Sequence, residues 1–133
     1  GPEASPLPPP DAQHPAESPA SLSDRPLPLT LEQTEALLYA EIVVDIFGML
    51  RDIYPQQIQA DDYSAVAGII THTLLSLPRW AAGDFIRAND YETLRADYPK
   101  QFQAALNFLN KLADKLGIFI APIEVSALLR YLL

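Results

Sequence analysis

Beyond residue 29, apolar residues recur at helical spacing in segments punctuated by proline and glycine. From Leu31 to Tyr54 they are nearly continuous, with Leu37, Leu38, Val44, Phe47 and Leu50 prominent, while Glu35, Glu41, Asp45, Arg51 and Asp52 mark a polar side. This predicts a long helix with a broad buried stripe. A stripe that broad predicts cover from more than one direction, including a second subunit. Thr30-Leu-Glu-Gln33 reads as a capping box at its start, with hydroxyl and amide each reaching a backbone N–H of the other residue. Pro55 stops it, because the residue before a proline avoids helical angles.

A second apolar series, Tyr63, Val66, Ile69, Ile70, Leu74 and Leu77, predicts a helix capped by Asp61 or Asp62. Gly68 within it admits the close approach of a neighbour. Pro78 predicts an end or a kink, with Trp80 to Gly83 as a turn. Asn89 or Asp90 caps a short helix reaching about Ala96, with Tyr91 and Leu94 inward. Pro99 suits a first helical turn. It opens a run of Phe102, Ala105, Leu106, Leu109, Leu112, Ala113 and Leu116, stopped by Gly117. Ile118 to Ile120 is a short extended connector. Pro122 then opens a last helix with Val125, Leu128, Leu129, Leu132 and Leu133 apolar. The fold class is all-α: a five-helix antiparallel bundle over residues 30–133.

Composition adds a second segment. Nine of the thirteen prolines lie between Pro2 and Pro28. Residues 1–29 hold too little large apolar surface to offset their ordering entropy, and read as a disordered, proline-rich linker with His14 solvated in it. Gly1-Pro2 looks like the remnant of a removed tag.

Charge and residue types narrow the function. A net charge of −8 argues against direct nucleic-acid binding and against an anionic membrane surface. No apolar run reaches the roughly 18 residues of a membrane span. The absence of cysteine removes thiol catalysis and cysteine–zinc sites and fits a cytoplasmic protein. No glycine-rich phosphate loop, metal-ligand set or catalytic constellation is present, so neither an enzyme nor a cofactor is expected.

One histidine remains in the foldable part. His72 precedes Arg79 by about two helical turns, which places both on one face. A neutral imidazole is a nucleophile toward an activated phosphoryl group, and the charge it would gain acts strongly at a helix seam. The competing reading is a half-buried structural histidine bonded to Thr71, Thr73 or a backbone carbonyl, with Arg79 as a surface cation.

The ordered set His72, Arg79, Gly83, Asn89, Tyr98-Pro99, Phe102, Leu116-Gly117, Ile118 to Ile120 and Glu124 resembles a PTS regulation domain, the five-helix regulatory module of bacterial antiterminators and activators of sugar-use operons. The resemblance spans about Leu37 to Leu133. It implies a phosphoacceptor at His72, with Arg79, Asn89 and Tyr131 supporting the phosphate or the seam. It also implies a homodimer, and phosphorylation by a phosphocarrier or sugar-permease component of the phosphotransferase system. An attached effector domain would bind nucleic acid, and the proline-rich segment would tether it. Two positions depart from the pattern: Tyr131 stands where the family carries a second histidine, and Pro78 immediately precedes Arg79. The alternative is a degenerate helical interaction domain that keeps the fold without phosphoryl chemistry.

Overall fold

The computed structural model describes residues 28–54 and 62–133. Of the expected linker, residues 1–27 lie outside the described residues, His14 among them, as do Pro55 and Asp61. The chain divides into two units, residues 1–34 and 35–133.

Within the first unit the expected capping box is present. The Thr30 N–H donates to Gln33 Oε1 at 2.9 Å, and the Gln33 N–H donates to Thr30 Oγ1 at 3.0 Å. It opens helix α1, Leu31–Ile53. Four further α-helices follow: α2, Tyr63–Ala81; α3, Tyr91–Asp97; α4, Pro99–Leu116; and α5, Val125–Leu132. A 3₁₀ turn, Pro122–Glu124, leads into α5. Ile118 to Ile120 is extended without forming a strand, and Gly117 ends α4 at φ +66° as the left-handed stop expected of it.

The last helix is the centre of the bundle. Val125, Ser126, Ala127, Leu128, Leu129 and Leu132 are all buried, so α5 is covered on nearly every side. It packs on α2, α3 and α4. Two pairings set its direction. Gly68, early in α2, lies against the ring of Tyr131, late in α5, whereas Arg79 at the end of α2 meets Glu124 just ahead of α5. The two helices therefore run antiparallel.

Helix α1 is rotated relative to expectation. Its buried line is Ile42, Ile46, Met49, Leu50 and Ile53, while Val44 is 67 % exposed and Leu37 and Phe47 also face outward. Glu41 is exposed, as expected of the polar side, whereas Asp45 is largely covered; both pair with Lys115 of α4, at 3.3 and 2.9 Å. A nearly continuous apolar run fixes its phase only weakly, because apolar residues lie on both faces of the helix. Tyr63 and Leu133 are likewise exposed rather than inward.

Pro78 neither ends α2 nor opens a turn at Trp80, since the helix runs on to Ala81. The proline forfeits one backbone donor near the helix end. Tertiary anchoring of the next two residues outweighs that loss: Arg79 is clamped by Glu124, and Trp80 is 1 % exposed. The turn comes at residues 82–83, closed by Gly83 at φ +74°. Asp62 and Asp90 occupy the N-cap positions of α2 and α3, but neither side chain makes a capping hydrogen bond.

Candidate functional site

The exposed face of α2 and the end of α5 border an open groove of about 540 Å³. Gly68, Thr71, His72, Ser76 and Arg79 line it from α2, and Tyr131 from α5. The seven-residue spacing thus places His72 and Arg79 in one groove. Gly68 makes the Tyr131 position possible: a Cβ there would lie 2.8 Å from the tyrosine Cε1.

His72 is half-buried between two aromatic rings. Its centroid lies 5.7 Å from that of Tyr131, tilted by 44°, and 6.4 Å from that of Trp80 in an edge arrangement. Nε2 is buried without a hydrogen-bond partner, and Thr73 Oγ1, expected as a partner, is likewise unpaired. Nε2 is therefore out of reach from the groove unless the ring turns. Burial lowers the imidazole pKa below its ordinary 6.5; the Glu124 charge acts to raise it and the Arg79 charge to lower it. The net effect favours the neutral ring, the form with a nucleophilic lone pair.

Arg79 has a partner already. Its Nη1 donates to Glu124 Oε2 at 3.0 Å and its Nη2 to Glu124 Oε1 at 3.2 Å. Nη1 also donates to the Asp84 carbonyl at 2.8 Å, and Nη2 reaches Ser76 Oγ at 3.4 Å. Ser76 Oγ in turn donates to the His72 carbonyl at 2.6 Å. The Glu124 hydrogen bond raises the already high pKa of the guanidinium.

Glu124 is fully buried. Burial alone would raise its carboxyl pKa, but the Arg79 hydrogen bonds and the Ile86 N–H at 2.8 Å outweigh that and hold it below the ordinary value. The Trp80 indole N–H, buried and lacking a well-formed hydrogen bond, adds to the stabilisation. The helix ends agree with the charges, a cation in the last turn of α2 and an anion at the N-cap of α5.

The sequence named Glu124 as part of a family pattern and not as a site residue. A glutamate between Ile123 and Val125, in an otherwise apolar stretch, was the available signal, since a buried acid needs a partner. Asn89 is exposed in the bend before α3 and does not line the groove. No group of residues suited to hold a metal ion occurs among the described residues. No helix among them is long and apolar enough to cross a membrane.

Comparison with known proteins returns one family. The PRD domain model matches residues 46–133, from the middle of α1 to the end of the chain. No curated protein and no solved structure matches. The family match covers most of the chain and the whole of the groove, and the chain belongs to the PRD domain family, the PTS regulation domains, which are regulatory and not catalytic modules.

Proposed function

We propose that this chain is the sensor and dimerisation module of a bacterial transcriptional regulator, cytoplasmic, and controlled by phosphorylation of His72. The observation that carries the reading is a half-buried histidine, its pKa lowered by burial, in an open groove with a guanidinium two turns along the same helix. The donor is the phosphohistidine of a phosphocarrier protein or sugar-permease component of the phosphotransferase system. A ring nitrogen lone pair of His72 forms the new N–P bond as the donor's N–P bond breaks. The donor nitrogen keeps the electron pair, and the proton on the other His72 nitrogen leaves to solvent. Arg79 and Tyr131 support the phosphoryl group from the groove.

The homodimer belongs to this reading. Leu37, Val44 and Phe47 form an exposed stripe on α1 whose spacing keeps them on one side of the helix. The three side chains are apolar, and pairing two copies through them would remove that surface from water. Incubation with phosphoenolpyruvate and the general phosphotransferase proteins tests the reading. An acid-labile phosphate that His72→Ala abolishes supports it; a folded chain that takes no label refutes it.

A second reading has its own support. Arg79 is already neutralised by Glu124, and Nε2 is enclosed. Both fit a scaffold in which His72 is structural and partners bind the bundle without phosphoryl chemistry.

A further inference from the structure

The groove holds one cation among its described lining residues, Arg79, and that cation is committed elsewhere. Its side chain is 27 % exposed at the groove, whereas its partner Glu124 is wholly enclosed. The pair is neutral overall, so an anion formed at His72 meets no net positive charge while the pair persists. A guanidinium is a rigid fork on a flexible stem and can turn toward a nearer or stronger anion. Its weakest bond, Nη2 to Ser76 Oγ at 3.4 Å, is on the groove side and leads through Ser76 to the His72 carbonyl.

We propose that Arg79 is a shared cation, drawn from Glu124 by an anionic group on His72, and that Glu124 is the positioning residue that holds it until then. The inference rests on the phosphoacceptor reading of His72. Its structural consequence is specific. The Asp84 carbonyl accepts from the same guanidinium nitrogen, and the Ile86 N–H donates to the same carboxylate. Removing Arg79 therefore frees the Asp84 carbonyl and leaves a buried carboxylate beside α5 that the Ile86 N–H must hold without the guanidinium. The charge at His72 is transmitted to the central helix through one side chain.

The test needs no phosphate donor. His72→Glu and His72→Asp place an anion at the site, and His72→Gln is the neutral control. In each folded background the coupling between Arg79 and Glu124 is measured by a double-mutant cycle, with R79Q and E124Q unfolded in urea. The amide exchange rate of Ile86 is a second readout on the single His72 variants. Exchange of partners predicts a coupling constant at least roughly tenfold smaller in an acidic background than in His72→Gln, and an Ile86 exchange rate that differs from that in His72→Gln. A purely structural Arg79–Glu124 pair would give the same coupling and the same Ile86 protection in all backgrounds, which would overturn the proposal. The phosphorylation assay reads label on His72, so its failure and the failure of this exchange are separate results.

Discussion

Arg79 grips the buried carboxylate of Glu124 with two nitrogens, at 3.0 and 3.2 Å, across the seam between α2 and α5. The clamp joins residues 45 positions apart in sequence. Its two partners are not equivalent, because Arg79 retains contact with solvent and Glu124 has none.

That asymmetry sets the first expectation. Arg79→Met strands an enclosed carboxylate and is expected to destabilise by about 3–5 kcal/mol. Glu124→Gln leaves a guanidinium that can turn to water, and should cost less, about 1–3 kcal/mol. Urea unfolding of the two variants checks the order; equal losses would show that burial of the carboxylate is not the dominant cost.

Stability is expected to fall in acid in two stages. Burial keeps the folded His72 pKa below the ordinary 6.5, so the unfolded chain binds its proton first. The stabilisation from a neutral His72 is present above 6.5 and is lost as pH falls from there toward the folded value. Glu124 is held below its ordinary 4.5, so its contribution is present above 4.5 and is lost as pH falls through the lower folded value. Urea midpoints measured against pH should show both arms. His72→Gln should flatten the upper arm and Glu124→Gln the lower.

The helical pattern made most of the fold readable and left its tertiary phase undetermined. The capping box at Thr30, the glycine stop at Gly117 and the inward residues of α4 follow from local rules that tertiary packing did not override. The α1 phase did not follow, because residues as apolar as Val44 and Ile42 stand on opposite faces of it and the periodicity alone does not choose between them. The helix end allowed for at Pro78 comes three residues later for a related reason: a propensity rule cannot register that Arg79 and Trp80 are anchored by residues far along the chain. Of the site, the His72–Arg79 spacing was readable, whereas the partner that already holds Arg79 was not.

Gly68 controls how closely Tyr131 covers His72. A methyl group at residue 68 must displace the tyrosine ring, whose exposure lets it move outward. Gly68→Ala should change stability by less than about 1 kcal/mol, the better helix propensity offsetting the lost contact. It should also raise the rate at which diethylpyrocarbonate modifies His72. An unchanged rate would mean that Tyr131 does not restrict access to the imidazole.

The apolar stripe of α1 gives a separate expectation for assembly. Val44→Glu with Phe47→Glu changes exposed residues and should leave monomer stability within about 1 kcal/mol. If the proposed homodimer forms through this stripe, sedimentation equilibrium should show the unmodified chain paired at concentrations where the variant is monomeric. A variant that still pairs would place the contact elsewhere.

Whether His72 accepts a phosphoryl group can be read without any protein partner, by ³¹P NMR of the full chain treated with the small donor phosphoramidate. A phosphoacceptor at His72 predicts an acid-labile phosphohistidine resonance that disappears in His72→Gln. A folded chain that gives no such resonance, or one whose only signal survives in His72→Gln and so belongs to His14, would contradict it.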